Sequence, residues 1–553
     1  MKPNTSHLTN FEIVENPVFS PKNISELGDP LSIVEHTLNN GLKIFMSVNP
    51  DEPRIFTQIV VRAGSKQDPA DSTGLAHYLE HMMFKGTSQI GSLNWEKESG
   101  LLAQIAELYE QHSQETDPSA RKALYAQIDA LSGEAAQYVA ANEYDKLISA
   151  LGARSTNAYT SSEQTVFIND IPSNELEKWL FLESERFKML VLRLFHTELE
   201  TVYEEFNISQ DNDGRKVYNA MMNALFPTHP YGTQTVIGTG DDLKNPSHHS
   251  IQRYFNTYYV PNNMAIILAG DFNPSEAITL CEQYFGSFKP AKPLPPFVAP
   301  PQYPLQKIDK IEVFGHQAES LQLAWQIDSA HTDEQEIASL ISVMLYNQQA
   351  GLIDIDLIQK QQVLEAHAGI MSLAEYGAFV IYGKPRAGQS LEDVEKLLTE
   401  QVNRIKKGDF PEWLIEAVVT DFRYSQTKSL ENNQSRAALL TDAFVKNLNW
   451  VTYIQRIERM KKLTKAQIVA FANKKFGENY VAIYKKQGND PSVKHVEKPQ
   501  ITPINLDRSH ESAFAQQFKK LESPSLKPVF IDFEQSIQFS QLTNGLPFDY
   551  LKI

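Results

Sequence analysis

The sequence GLAHYLEHMMFKGT, residues Gly74 to Thr87, carries two histidines four positions apart with a glutamate between them. The residues LAHYLEHMMF favour a helix, and the preceding DSTG offers candidate N-cap side chains. On a helix, side chains three or four positions apart share a face. His77, Glu80 and His81 are therefore predicted to project from one side of a helix.

This spacing is that of the inverted zinc-protease motif, H-x-x-E-H. Two imidazoles on one face can hold one tetrahedral Zn²⁺. A carboxylate near the open coordination position can take a proton from water and return it to a leaving amine. The motif makes His77 and His81 candidate ligands and Glu80 the candidate general base. Taken alone, it leaves a second interpretation open, a structural helix with a solvated glutamate and two partly buried histidines.

The composition restricts the class of protein. A chain of 553 residues is too long for one hydrophobic core, so two or three domains are expected. The formal net charge of -17 argues against nucleic acid or an anionic membrane surface as a partner. No apolar run is long enough to span a bilayer. The first residues lack the apolar segment of a signal peptide, which predicts a cytoplasmic protein, or a periplasmic or secreted one if such a peptide was removed.

Two proline-rich stretches divide the chain. KPAKPLPPFVAPPQYP is predicted to be a stiff linker, because proline excludes helices and central strands. On both sides of it, strand-like runs such as FTQIVVRAG and AFVIYG alternate with amphipathic helices, which predicts two α+β domains. The predicted segments are an N-terminal extension at 1–30, a first domain at 31–288, the linker at 289–304, a second domain at 305–487, a looser linker at 488–534 and a final segment at 535–553.

A helical hairpin is predicted inside the first domain, at about residues 96–148. Apolar residues recur at helical spacing from Leu101 to Tyr109 and again from Leu124 to Tyr138. Asp117 is the expected N-cap of the second helix and Pro118 its first residue. We expect these helices to pack on each other and to carry no chemistry.

The sequence around the motif resembles the pitrilysin, or insulinase, family of zinc metallopeptidases. Besides GLAHYLEHMMFKGT, the stretches RAGSKQDP, TNAYTSSEQTVF, HPYGTQTVIG and YYVPNNMAIILAGDF follow in the family's order. The resemblance is strong from about Leu31 to Phe288 and weaker from about Gln306 to Lys486. It implies an α+β fold of two tandem pitrilysin-like domains, each a mostly antiparallel sheet with helices packed against it. The first would bind zinc, with the hairpin as an insertion, and the second would be non-catalytic.

The resemblance also implies a third zinc ligand, a glutamate on a later helix. The window where the family usually carries it contains no acid here, and an insertion of about fifty residues would move it to HTELETVYEEFN, residues 196–207. That stretch is similar to the family's E-x-x-x-V-x-x-E helix.

The acids of this stretch differ in their position around the helix. The buried face is defined by three apolar residues, Leu199, Val202 and Phe206. Glu198 and Glu205 border that face, whereas Glu200 and Glu204 are expected to point toward water. Glu205 is therefore the predicted third ligand. By resemblance, Glu198 is an acid that supports the site from outside the ligand set.

The stretch NAYTSSEQTVF alternates as a strand should. The resemblance implies that this strand is an exposed sheet edge beside the zinc, to which a peptide adds as an extra strand. Asn157 and Ala158 would then make main-chain contacts with the substrate. The alternative is an ordinary sheet strand.

These interpretations predict a zinc-dependent endopeptidase that hydrolyses peptides or short unfolded polypeptides. One Zn²⁺ per chain would be held by His77, His81 and Glu205, with Glu80 as general base and acid. The alternative is a non-catalytic pitrilysin-like subunit that binds a peptide or a partner chain. The predicted partners are a peptide substrate and a C-terminal half of the same protein or a homologous subunit, with neither nucleic acid nor membrane.

The partner prediction comes from an internal repeat. SIQFSQLTNGLPFDYLKI, from Ser536, matches SIVEHTLNNGLKIFM, from Ser32, without a gap at a constant offset. Each copy is predicted to be a strand, an Asn-Gly turn and a second strand. Residues 535–553 are accordingly expected to begin a third repeat, and the chain to be the N-terminal half of a four-domain protein, incomplete by itself.

Overall fold

The computed structural model describes Asp29 and residues 31–291, 293–298, 300–491, 493–497, 501–504, 509–526, 532 and 537–551. These residues form two mixed sheets covered by helices and a separate two-stranded hairpin. Apart from Asp29, the predicted N-terminal extension lies outside the described residues.

The first sheet has the strand order β1-β2-β6-β3-β5-β4. Its strands are β1 Val34–Thr37, β2 Lys43–Val48, β3 Arg54–Val61, β4 Arg154–Thr160, β5 Thr165–Pro172 and β6 Met264–Gly270. Neighbours are antiparallel except β2 and β6, which are parallel. Strands β3 and β6 are buried on both faces, which explains their continuous apolar sequences. Strand β4 lies at one edge of the sheet.

The second sheet has the strand order β7-β11-β8-β10-β9. Its strands are β7 Asp309–Gly315, β8 Ser320–Ile327, β9 Glu365–Ser372, β10 Gly377–Lys384 and β11 Val481–Gln487. Only β7 and β11 are parallel. This is the order of the first sheet without β1, with β7, β11, β8, β10 and β9 in the places of β2, β6, β3, β5 and β4. The predicted fold of two tandem, mostly antiparallel α+β domains is confirmed.

Helices cover both sheets. The helices up to the proline-rich linker are α1 Leu75–Met82, α2 Trp95–Gln114, α3 Pro118–Ala135, α4 Glu143–Ala150, α5 Leu176–Lys188, α6 Phe195–Asp211, α7 Asp213–Leu225, α8 Pro230–Thr233, α9 Gly240–Lys244, α10 His248–Tyr258 and α11 Pro274–Phe285. The helices after it are α12 Glu334–Leu345, α13 Leu391–Lys407, α14 Trp413–Ser429, α15 Asn433–Val445, α16 Trp450–Ile454, α17 Arg456–Met460, α18 Lys465–Lys475 and α19 Ala513–Phe518.

Each half of the chain contributes one helix to the other half's sheet. Helix α15 covers one face of the first sheet, where Leu440 and Phe444 enter a buried cluster with Phe45 and Ile267. Helix α7 packs on the second sheet, and its Met221 is buried there. Because each sheet needs the other half to bury one of its apolar faces, the two domains are expected to unfold together.

A buried ionic cluster also joins the two domains. The Lys66 ammonium lies 3.1 Å from the Glu163 carboxylate of its own domain and 2.9 Å from that of Glu375 in the second. The Tyr231 hydroxyl is within hydrogen-bond reach of both carboxylates. Burial raises the pKa of Glu375, but Lys66 and Tyr231 outweigh it and hold that pKa below its usual value. Both carboxylates therefore depend on the Lys66 charge.

The predicted helical hairpin is present as α2 and α3. The Asp117 side chain accepts from the backbone of the first turn of α3, and Pro118 is the first residue of that helix. Arg193 anchors the hairpin through a buried ion pair with Glu98 at 2.5 Å. The same guanidinium donates to the carbonyl of Lys85, just beyond α1, at 2.7 Å. The insertion is thus fastened to the loop that follows the histidine helix.

The described part of 488–534, predicted as a linker, packs on the first domain. Phe514 and Phe518 of α19 are buried in the core of that domain, and Phe514 stacks on Phe181 with 5.0 Å between ring centroids. The Ser512 hydroxyl donates to Glu143 at 2.6 Å. Over these residues the segment is part of the first domain's packing and not a free tether.

The repeated strand–turn–strand motif forms two matching hairpins. Strands β12 Ile537–Gln541 and β13 Pro547–Leu551 pair with Gln541 opposite Pro547, as Thr37 lies opposite Lys43 in β1 and β2. The turn glycines share a left-handed conformation, with φ of 89° at Gly41 and 85° at Gly545. The other residues of the predicted segment 535–553 lie outside the described ranges.

Replacing Lys66 by methionine is expected to lower the free energy of unfolding by about 3 kcal/mol, because the buried Glu163 and the half-buried Glu375 lose their ammonium partner. Urea denaturation followed by circular dichroism measures the change. Lys486→Met is the matched control, since it removes a largely exposed pair with Glu312 and should change the free energy of unfolding far less. Equal losses in the two variants would contradict the role of the buried cluster.

Candidate metal centre

Helix α1 carries both histidines, and its first turn is fixed by a residue outside the helix. The Asp68 carboxylate accepts from the backbone amides of Gly74 at 2.9 Å and Ala76 at 3.0 Å. Gly74 has a left-handed φ of 82°, and a Cβ there would lie 2.6 Å from the Ile237 carbonyl oxygen. The N-cap is Gly74, the last residue of DSTG, but glycine has no side chain to cap the helix, and Asp68 reaches the free amides instead.

Helix α6 lies against α1 and brings a carboxylate to the two imidazoles. The Tyr78 hydroxyl, buried on the inner face of α1, donates to the carbonyl of Phe195 in the first turn of α6 at 2.7 Å. Further along α6, Leu199 and Val202 are buried in the core. This packing places the Glu205 carboxylate beside the two histidines.

Three ligand atoms form a nearly equilateral triangle. His77 Nε2 and His81 Nε2 are 3.3 Å apart, and each lies 3.5 Å from Glu205 Oε2. A tetrahedral zinc ion with bonds of about 2.0–2.1 Å has ligand atoms about 3.3–3.4 Å from one another. The donor set and the spacing therefore fit Zn²⁺. In the part of the chain that the structure describes, no other trio of His, Cys, Asp or Glu has ligand atoms this close together.

Glu198 lies behind His81, on the side away from the triangle. Its Oε1 lies 2.9 Å from His81 Nδ1, and its other oxygen is paired with the Lys85 ammonium. Burial would raise the pKa of Glu198, but the hydrogen bonds from His81 and Lys85 hold it below its usual value. An ionised carboxylate at Nδ1 orients the ring and leaves Nε2 free to face a metal.

The pKa values of the two histidines are shifted in opposite directions. Burial lowers the pKa of His77 to about 4, and the charges of His81 and Arg215 act in the same direction. Burial also disfavours charge on His81, yet hydrogen bonds to Glu198 and Glu205 raise its pKa to about 9. The carboxylates of Glu198 and Glu205 thus favour positive charge at this point.

Glu80 is held beside the triangle but outside it. Its side chain is only 8% exposed, and its Oε2 accepts from the Thr160 hydroxyl at 2.5 Å. Burial raises the pKa of Glu80, with Thr160 and His81 partly opposing the shift. Thr160 was not predicted as a site residue. Its position in NAYT pointed to the edge strand, but its contact with α1 depends on how the helix lies across the sheet.

Strand β4 is the edge of the first sheet beside Glu80. Asn157 is exposed and Ala158 half-buried, and among the described residues β4 pairs only with β5. The single strand predicted over NAYTSSEQTVF is wrong. The stretch is a hairpin, with β4 ending at Thr160 and β5 beginning at Thr165, because Ser161 and Gln164 close a turn. The free edge is therefore the first half of the stretch.

The remaining acids of α6 are placed differently from one another. Glu204 is exposed, as predicted, whereas Glu200 is half-buried and not turned fully to water. The adjacent histidines of α10 also differ, since His248 is buried and His249 exposed. No described helix is both long and apolar enough to cross a membrane.

Two family descriptions match the chain. Residues 43–104, which contain α1, match "Insulinase (Peptidase family M16)", and residues 247–421 match "Peptidase M16 inactive domain". The chain belongs to peptidase family M16. Its second domain has no counterpart of the metal motif, since α12, which follows β8 as α1 follows β3, contains no histidine.

Curated relatives carry zinc-protease names. The chain is 23% identical over 449 residues to "Zinc protease PqqE" of Helicobacter pylori, covering 80% of this chain and 89% of that protein. It is 22% identical over 475 residues to "Uncharacterized zinc protease YmxG" of Bacillus subtilis, covering 83% and 100%. Zinc proteolysis is thus the named activity of these M16 relatives.

Solved M16-type structures share the fold. A protease from Helicobacter pylori has a TM-score of 0.67 at 20% identity, covering 82% of this chain and 99% of that one. The first half of the periplasmic protease PqqL from Escherichia coli has a TM-score of 0.63 at 16% identity, covering 83% of this chain and 92% of that one. The whole PqqL structure has a TM-score of 0.64 at 15% identity, covering 95% of this chain and 56% of that one.

Glu205→Ala is expected to lower zinc affinity by more than a hundredfold, because it removes one corner of the triangle. Glu204→Ala, one residue away and exposed, should change it less than twofold. Competition with a chromogenic chelator measures both. Loss of affinity in the Glu204 variant alone would mean that the helix presents a different acid to the metal.

Proposed function

We propose that this M16 protein is a zinc-dependent endopeptidase that hydrolyses peptides or short unfolded polypeptides. The observation that carries the proposal is the triangle of His77, His81 and Glu205, with Glu80 held beside it by Thr160. His77, His81 and Glu205 would hold one Zn²⁺ per chain. When bound, zinc supplies Lewis acidity toward the scissile carbonyl and toward water.

The protein's own residues would move the proton. Glu80 takes a proton from the attacking water and delivers it to the leaving amine, which requires a carboxyl group that gains and loses a proton readily. Burial, which raises the pKa of Glu80, favours this exchange. The Thr160 hydroxyl orients the carboxylate. Glu198 fixes the His81 ring, so that the ligands are ordered before substrate arrives.

The β4 edge offers a binding mode for the substrate. An extended peptide can add to this edge through main-chain hydrogen bonds, with Asn157 and Ala158 as its backbone partners. Such bonds do not depend on sequence, so they suit a peptidase that accepts varied unfolded chains. Placed on β4, the peptide would pass Thr160 and thus reach Glu80.

A non-catalytic subunit that binds a peptide or a partner chain remains the alternative function. The match to the inactive domain covers residues 247–421, which include none of the residues proposed to hold zinc or move the proton. All four of those residues, His77, Glu80, His81 and Glu205, are present and adjacent. Their presence supports catalysis over the alternative.

Glu80→Gln is expected to keep close to one zinc per chain and to lose peptidase activity by at least about a thousandfold, because the amide cannot accept the proton from water. Zinc content by plasma mass spectrometry and hydrolysis of a quenched fluorescent peptide measure the two effects. Retained activity in the glutamine variant would contradict the assignment of Glu80. Loss of zinc would make it a ligand.

We further propose that a third α+β unit, in the same polypeptide or in a separate subunit, covers the terminal hairpin. Four of its apolar side chains, Leu542, Leu546, Phe548 and Tyr550, are 47%, 58%, 51% and 44% exposed. In the matching register of the first hairpin, their equivalents are the core residues Leu38, Leu42, Ile44 and Met46, all buried. The same face is thus buried in the first hairpin and exposed in the terminal one. This difference supports a further sheet and helix layer that would cover the terminal hairpin.

Hydrogen exchange tests this proposal, with the first hairpin as an internal control. The amides of β12 and β13 are expected to exchange at least on the order of a hundredfold faster than those of β1 and β2, because an isolated two-stranded hairpin is marginally stable. Equal protection of the two hairpins would show that the terminal hairpin needs no further unit.

A further inference from the structure

A cavity of about 360 Å³ lies next to the proposed general base. It is lined by the β4–β5 turn and by α7 of the first domain, and by residues at the end of β9 and in α15 of the second. Thr160 lines this cavity and also donates to Glu80. A peptide on the β4 edge that passes Thr160 therefore reaches the cavity with its neighbouring residues.

The charges around the cavity are paired with one exception. Asp442 forms an ion pair with Lys446 at 2.6 Å, and Glu163 is compensated by Lys66 at 3.1 Å. Arg215 also lines the cavity. Among the described residues, none accepts a hydrogen bond from its guanidinium or forms an ion pair with it.

The position of Arg215 is set by the start of α7. The Asn212 side chain caps this helix by accepting from the Arg215 backbone amide at 2.9 Å. Tyr218, one turn further along α7, and Met222, two turns further, line the same cavity. The mostly polar cavity thus contains the side chains of Tyr218 and Met222 and the exposed Arg215, a positive charge with no ion-pair partner among the described residues, in a protein whose formal net charge is -17.

We propose that this cavity is a substrate subsite in which Arg215 binds a carboxylate of the peptide. A guanidinium presents parallel N–H donors that match the two oxygens of a carboxylate, and such charge-assisted pairs are stronger than neutral hydrogen bonds. The carboxylate comes either from an acidic side chain near the scissile bond or from the C-terminus of a short peptide. The inference rests on the proposed peptidase function, because that function places the peptide on β4.

Peptide binding to the Glu80→Gln protein loaded with zinc tests the subsite without turnover. Fluorescence anisotropy compares four labelled peptides of one sequence, with Glu or Gln at the varied position and with a free or amidated C-terminus. At 150 mM salt, one of two comparisons is expected to show binding on the order of tenfold tighter for the peptide that carries the carboxylate. The comparisons are Glu against Gln at the varied position, and a free against an amidated C-terminus. The comparison that shows this difference identifies the source of the carboxylate.

Arg215→Gln, added to this protein, is expected to abolish the preference, and Arg215→Lys to keep part of it. Arg253→Gln removes an exposed arginine of α10 outside the cavity and should leave the preference unchanged. It controls for the general repulsion of acidic peptides by this acidic protein. A preference that persists in Arg215→Gln, or its absence in the parent protein, would overturn the subsite.

A parallel assay separates this inference from the function on which it rests. Hydrolysis of the same peptides by the zinc-loaded protein with Glu80 intact tests the peptidase itself. Failure to cleave any of them, with the Arg215-dependent preference present, contradicts the proposed catalysis and leaves the subsite standing. Cleavage without such a preference contradicts the subsite alone.

Discussion

The site depends on one contact, the packing of α1 against α6. Spacing along α1 brings His77 and His81 together, but the third corner of the triangle comes from a helix more than a hundred residues later. The bond from Tyr78 to the Phe195 carbonyl fixes where α6 starts relative to α1. If α6 turned by one residue, Glu205 would leave the triangle and the exposed Glu204 would not replace it.

The surrounding fold keeps this contact in place. The hairpin insertion is tied by Arg193 to the loop after α1, and the α19 segment packs on the same domain. The second domain carries no metal motif, yet it contributes α15 to the first sheet and lines the cavity beside Thr160. Under the proposed function, a domain without catalytic residues would thus help to shape substrate binding, because it lines the cavity beside Thr160.

The sequence could predict which side chains share a helix face. It could predict contacts between distant segments only in part. The face shared by His77, Glu80 and His81 follows from helical periodicity. The prediction of Glu205 required the apolar face of α6 in addition to a family pattern. The cap by Asp68 and the Thr160 bond to Glu80 could not be predicted, because each joins segments whose relative position is set by tertiary packing. The sequence also could not predict that α7 and α15 each cover the other domain's sheet, because that arrangement depends on tertiary packing.

The central claim is that one zinc ion sits between α1 and α6, and anomalous diffraction tests it most directly. Crystals of the zinc-loaded protein, measured above and below the zinc absorption edge, should show one strong peak per chain. The peak is predicted about 2.0–2.1 Å from His77 Nε2, His81 Nε2 and Glu205 Oε2. A peak bound by other residues, or none at this point when the protein contains one zinc per chain, would contradict the account.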